Sequence, residues 1–325
     1  MKLLKKCYIN KERTNSDLLV FLTLKRIKTS FFLKIMYNRK RKGECIMNEQ
    51  EIKIILHALQ EDGYNSDITS TSIVEKGKQV NANLVASTSG IISGVDVAQQ
   101  VFKLTNNRLQ VTIHRPNGSF VNRGTVIMSV YGPLRDILRA EQVAINFIER
   151  LSGIATITNQ FALELAGTST QVLDTRNTTP GLRVFEKRAV IHGGGTNHNM
   201  TLGDCISIRR PHIIASGSVT NAFNLVNSKN KDKLITEIEV ETKEEFLEAI
   251  ATSCDLIILC NMSEDEIKEI VSINDNKKSL GVKMKITTKK ARAIAKLGVD
   301  YLIIDDLMHS YKVVDIDVKF YKELG

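Results

Sequence analysis

Tryptophan is absent from this chain of 325 residues, and proline occurs only four times. So little proline leaves no Pro-rich linker or low-complexity spacer, and no internal repeat is present. The five cysteines (Cys7, Cys45, Cys205, Cys254 and Cys260) are odd in number and lack CxxC spacing. That pattern argues against a cysteine-built zinc site or a disulfide framework. It points to free thiols in a reducing compartment, by default the cytoplasm. Long apolar runs are also missing. Leu18 to Leu24 is cut off by Lys25, Arg26 and Lys28, well short of the roughly 20 residues a membrane span needs. It has no small-residue cleavage site of a secretory signal either. No membrane association is expected.

The formal charge of +9 is unevenly distributed. Residues 1–46 hold 13 Lys/Arg against 3 Asp/Glu, which leaves 32 basic and 33 acidic residues in the rest. The body is therefore close to neutral, and charge gives no reason to expect that it binds nucleic acid. The basic extension could touch nucleic acid or an anionic surface. A different reading fits its sequence better: Arg39 to Glu44 (RKRKGE) is what a purine-rich ribosome-binding sequence becomes when translated, and Met47 follows it. Met47 is the expected start, and the intact mass of the native protein tests this.

From Met47 the periodicity changes twice. Met47 to Glu61 has the spacing of an amphipathic helix. Strands are expected at 80–86, 90–94, 109–114 and 125–130, with a helix at 97–104 capped by Asp96. Together they suggest a small α+β domain over 47–155, joined by 311–325, in which Val313 to Phe320 is expected as a returning strand. Two helices follow, Leu138 to Leu151 and Ile154 to Ala166. Over 156–310 strands at 171–174, 204–209, 234–240, 255–259, 279–285 and 299–304 alternate with helices at 182–191, 217–228, 242–251, 263–272 and 287–296. Such alternation predicts a parallel sheet, rolled into a barrel of about six strands.

The chemistry is concentrated in Leu173 to His212, LDTRNTTPGLRVFEKRAVIHGGGTNHNMTLGDCISIRRPH. Arg176, Arg183, Lys187, Arg188, Arg209, Arg210 and three of the chain's six histidines (His192, His198 and His212) fall here. Residues leaving the carboxyl ends of parallel strands are where such folds keep their sites. Arginine's planar fork matches carboxylate and phosphate oxygens two at a time. The stretch therefore reads as a polyanion pocket, or else as a solvated helix face with histidines satisfied in the core.

Several motifs carry a family resemblance running from about Met47 to the C-terminus: EDGYNSDITS, NFIERLSGIAT, LDTRNTTPGLRVFEKRAV, GGGTNHNMTLGD, EIEVET and GVDYLIIDDLMHS. The chain resembles quinolinate phosphoribosyltransferase, the carboxylating nicotinate-nucleotide pyrophosphorylase. That resemblance implies an α/β-sandwich domain, an incomplete α/β barrel and a homodimer. It also implies a reaction of quinolinate with phosphoribosyl pyrophosphate and Mg²⁺ that yields nicotinate mononucleotide, CO₂ and pyrophosphate. By the same resemblance Thr175, Arg176, His198 and Asn261 would contact substrate. Glu239 would serve catalysis and the metal, and Arg209, standing where the family has a lysine, would serve catalysis beside it.

The departures fall on the chemistry. Against the family pattern Asn177 replaces a lysine, Asn199 and Gln142 replace arginines, Arg210-Pro211 replaces Asp-Asn and Cys260 replaces an aspartate. Val282 to Lys285, with Lys283 and Lys285 among them, stand where the resemblance implies a Ser-Gly-Gly phosphate turn, and Asp305-Asp306 where it implies Gly-Ala. Each lost charge-assisted contact is worth about 1.5–3 kcal/mol, so three together would cost roughly 10³-fold in anion affinity if additive. Three readings follow: an active transferase with altered contacts, a non-catalytic paralogue, or a barrel using Glu239, Asp305 and Asp306 as a new metal cluster.

Overall fold

The computed structural model describes residues 47–321; the basic extension 1–46, with its two cysteines, lies outside them. Helix α1 (Glu49–Glu61) opens on a capping box, Asn48 accepting from the Glu51 backbone N–H and Glu51 accepting in return from that of Asn48. A short helix α2 (Ile68–Ile73) follows, capped by Asp67. Then come β1 (Gln79–Ala86), β2 (Gly90–Ile91), α3 (Val95–Thr105), β3 (Gln110–Ile113), β4 (Phe120–Val121) and β5 (Val126–Pro133). The four-stranded antiparallel sheet has the order β12-β1-β5-β3, where β12 (Ile316–Tyr321) is the returning strand. Asn81 pairs with Tyr321 and Ala86 with Ile316.

Three expectations are corrected. The strand expected at 90–94 stops after two residues, because Gly94 takes a left-handed φ of 92° and starts α3. Asp96 is therefore not the cap but sits in the first turn, where it accepts from Asn117 and pairs with Arg188. The two helices expected at 138–151 and 154–166 are one helix, α4 (Leu134–Glu164, 31 residues). Gly153 does not break it: a Cβ there would lie 2.5 Å from the Tyr311 ring and 2.7 Å from the Lys312 carbonyl. The glycine lets the chain 311–312 approach the helix, and that packing outweighs its poor helix propensity of about 1 kcal/mol. The helix runs through the domain boundary read at residue 155.

The remaining strands are β6 (Gln171–Leu173), β7 (Ile206–Ile208), β8 (Thr236–Val240), β9 (Leu256–Cys260), β10 (Ser279–Lys283) and β11 (Tyr301–Ile303). All are parallel, in the order β6-β11-β10-β9-β8-β7. Strands β6 and β7 end the sheet without pairing to each other, so the barrel is incomplete. Helices α5 (Arg183–His192), α7 (Val219–Asn227), α8 (Lys243–Ile250), α9 (Glu264–Asn274) and α10 (Thr288–Ala295) form the crossovers. The strand expected at 204–209 is shorter, because α6 (Arg210–Ser216) begins with Pro211 in its first turn.

Period-two alternation sets the barrel interior. In register, Glu239 faces Ile258 and Gly281, and Cys260 faces Lys283, which faces Ile303 and then Leu173. Leu173, Leu256, Ile258, Cys260 and Ile303 pack as one buried cluster. At the carboxyl ends of the strands this apolar floor gives way to Glu239 and Lys283.

Candidate active site

Loop 174–182 after β6 is held by a buried ion pair. Lys187 on α5 donates to Asp174 Oδ1 at 2.5 Å, and both side chains are fully buried. The same oxygen accepts the backbone N–H of His198 at 2.7 Å, which ties the loop carrying His198 to the end of β6. Burial pushes the Asp174 carboxyl up and the Lys187 ammonium down, each opposed by the other's charge. The three glycines ahead of that loop bring it against α4: a Cβ on Gly193 would meet the Ala155 carbonyl at 2.3 Å.

The cations of the Leu173–His212 stretch divide into two groups. Arg176, His198 and Arg209 line a recess of about 100 Å³ at the strand ends, together with Thr175, Asn177, Asn199, Glu237, Glu239, Lys283 and Asp305. Arg183, Lys187, Arg188 and Arg210 have structural duties instead. Arg183 donates to Thr178 and to the Met200 carbonyl, Arg188 pairs with Glu51 and Asp96, and Arg210 pairs with Glu241 and Glu245. His192 is bonded to Ser93 at 2.8 Å and burial lowers its pKa. The pocket is thus less cationic than the run of basic residues suggests.

A second recess of about 330 Å³ adjoins the first, sharing Glu239, Lys283 and Asp305 with it, and is also lined by Glu241, Cys260, Asn261, Met284, Lys285 and Asp306. Lys283 Nζ lies 2.9 Å from Glu239 Oε1. Burial works against its ammonium, but the hydrogen bond and charge of Glu239 outweigh that and raise its pKa. Lys285 is exposed at the rim. Asn261 adopts a left-handed φ of 55° and donates its N–H to the Lys283 carbonyl at 3.1 Å. Asp305 accepts from Asn177 at 3.1 Å, and Asp306 lies 3.1 Å from His309 Nε2.

One residue that sequence reasoning passed over belongs here. Glu237 is buried, and its Oε2 lies 2.5 Å from His198 Nε2. The signal was available: in Glu237-Ile238-Glu239 the two carboxylates fall on one face of a strand.

The comparisons with known proteins fit this geometry. Residues 67–152 match the family model described as Quinolinate phosphoribosyl transferase, N-terminal domain, and residues 154–319 match its C-terminal domain counterpart. The chain belongs to the quinolinate phosphoribosyltransferase family. Among curated relatives, the probable carboxylating nicotinate-nucleotide pyrophosphorylase of Bacillus subtilis is 35% identical over 273 residues, covering 84% of this chain and 94% of that protein. The chloroplastic enzyme of Oryza sativa is 33% identical, covering 85% of this chain and 79% of that protein. NadC from Streptococcus pyogenes superposes with a TM-score of 0.82 at 30% identity, covering 86% of this chain and all of that one.

Mg²⁺ prefers hard oxygen donors and is usually held by one or two carboxylates plus substrate phosphates. The Cys260 thiol does not qualify, because its soft sulfur suits thiophilic ions rather than Mg²⁺. Glu239 and Asp305 supply oxygens of the right class at the junction of the two recesses, so the residues fit a magnesium ion arriving with a phosphorylated substrate. Among the described residues they do not converge with Asp306 as a metal-ligating trio, and each carboxylate has its own partner. Among the described residues, a trio whose ligand atoms do converge is His198, Cys205 and Glu237. No helix among the described residues is long and apolar enough to cross a membrane.

Proposed function

We propose that the chain transfers a phosphoribosyl group to quinolinate, releasing pyrophosphate and CO₂ and forming nicotinate mononucleotide. The observation that carries this reading is the convergence of Arg176, His198, Arg209, Glu239 and Lys283 on two adjoining recesses at the strand ends. In the smaller recess Arg176 and Arg209 would hold the two carboxylates of the acceptor, each fork offering paired N–H groups. His198, oriented by Glu237, would donate to a carboxylate oxygen beside them. In the larger recess Lys283 would leave Glu239 for the phosphates of the donor, with Lys285 at the rim adding a second positive charge.

Held this way, the pyridine nitrogen faces the anomeric carbon. The new C–N bond forms as the C–O bond to pyrophosphate breaks, and positioning supplies much of the rate. Glu239, freed from Lys283, would face the positive charge that develops on the ribosyl carbon. Magnesium would neutralise charge on the pyrophosphate, with Glu239 or Asp305 as its protein oxygen. The ring carbon that loses CO₂ then takes up a proton. A homodimer, as the resemblance implies, belongs to this reading.

A second reading has its own support. Asp305 and Asp306 put like charge at the phosphate side, and Glu239 is already neutralised by Lys283. Such a barrel could bind another ligand or pair with an active subunit. The deciding experiment titrates phosphoribosyl pyrophosphate with Mg²⁺ by calorimetry, adds quinolinate and measures nicotinate mononucleotide. Turnover supports the first reading; a folded protein with neither heat nor product leaves the second.

A further inference from the structure

We propose that His198, Cys205 and Glu237 form a three-ligand site for a thiophilic divalent cation of the zinc class, set into the wall of the smaller recess. Their ligand atoms all lie within 4.8 Å of one another. Each comes from a different, well-anchored segment. Glu237 is on β8, paired with Ser207 of β7. Cys205 directly precedes β7, whose first residue donates its N–H to the Ile235 carbonyl at 2.8 Å. The His198 backbone is fixed by Asp174 at 2.7 Å. A hydrogen bond between His198 and Glu237 would alone explain an oriented imidazole. It does not explain a thiol placed beside both groups, with the Asn199 amide directed at its sulfur from 3.5 Å.

The donor set selects the ion. Imidazole, thiolate and carboxylate are the three ligand types zinc accepts, at about 2.0–2.3 Å each, and a thiolate disfavours Mg²⁺ and Ca²⁺. Thiolate and carboxylate together balance a doubly charged ion in a half-buried place. Burial and then the charge of Glu237 push the Cys205 thiol up to about 12, so on binding the cation displaces its proton to solvent. The His198–Glu237 hydrogen bond, 2.5 Å long, opens so that both atoms turn to the metal. Sequence spacing argues against a cysteine-built zinc site, and this one uses a single cysteine brought to its partners by the fold.

Cobalt(II) is the probe, because a cobalt–thiolate bond absorbs in the near ultraviolet. The full chain would carry Cys7→Ser and Cys45→Ser to remove the thiols of the N-terminal extension. The expected result is one Co²⁺ per chain with a thiolate band, displaced by one equivalent of Zn²⁺. The band disappears in Cys205→Ser and persists in Cys254→Ser and Cys260→Ser. Glu237→Gln weakens binding by at least about tenfold, the scale that loss of even an outer-shell partner reaches. Absence of the band at one equivalent, or its survival in Cys205→Ser, overturns the assignment. A thermal melt checks that Cys205→Ser folds, and Glu237→Gln decides the matter if it does not. The readout is absorption rather than turnover, so it stands or falls apart from the transferase reading.

Discussion

Replacing Lys187 by methionine tests how the site is held in place. The substitution keeps the length of the side chain and removes the ammonium that faces Asp174 at 2.5 Å. Both side chains are fully buried, and Asp174 Oδ2 has no partner, so the carboxylate left behind would keep only the His198 backbone N–H and no balancing charge. Breaking such a pair on one side costs about 3–5 kcal/mol. At roughly 2–4 °C per kcal/mol for a chain of this size, the melting temperature should fall by about 6–20 °C. Calorimetry on the wild type, Lys187→Met and the double variant Asp174→Asn/Lys187→Met provides the check. The asparagine keeps an oxygen for the His198 N–H, so the double variant should recover at least about half the loss. If Lys187→Met melts within about 1–2 °C of the wild type, the pair contributes no protected charge and the account of the loop anchor is wrong.

Other substitutions probe separate parts of the molecule. Lys283→Met should weaken phosphoribosyl pyrophosphate binding by roughly 10–150-fold, the range of one charge-assisted contact; unchanged affinity by calorimetry would remove Lys283 from the phosphate side. Gly193→Ala forces a methyl group against the Ala155 carbonyl, 2.3 Å away, and should cost about 1–3 kcal/mol by overpacking, read from denaturant midpoints. Burial raises the Glu141 carboxyl from 4.5 to about 7, and its Oε2 has no partner. A raised folded pKa means that the folded chain keeps this proton where the unfolded chain has lost it. Stability therefore falls as pH rises from about 4.5 to 7 and stays lower above. Glu141→Gln should remove that fall, gaining on the order of 1–2 kcal/mol at pH 8 after discounting for partial exposure and little at pH 4; equal stability changes at both values would exclude the burial account.

Much of the fold was legible because parallel strands and crossover helices leave opposite periodicities in sequence. The β/α alternation from residue 171 onward and the return of the last strand to β1 both match the structure. What the sequence concealed depends on distant partners. Nothing near Arg188 announces that Glu51 and Asp96 will claim it, and nothing near Arg210 announces Glu245. Counting local cations therefore overstated the charge of the pocket. One long helix read as two around Gly153 because that glycine's contacts, Tyr311 and Lys312, lie more than 150 residues away. Glu237 was recoverable from strand alternation, whereas Cys205 had no sequence signal, since its neighbours are set by tertiary register.

The pairing of β12 with β1 also fixes an order of events during synthesis. Residues 316–321 complete a sheet whose other strands end at residue 133, so that sheet stays open on one edge until the whole barrel has been made. The barrel strands come from residues 171–303 and can pair among themselves earlier. A nascent chain therefore carries an unpaired β1 edge for most of its synthesis, the kind of surface that recruits other strands. A chain cut short before residue 316 would keep its barrel strands and leave that edge exposed.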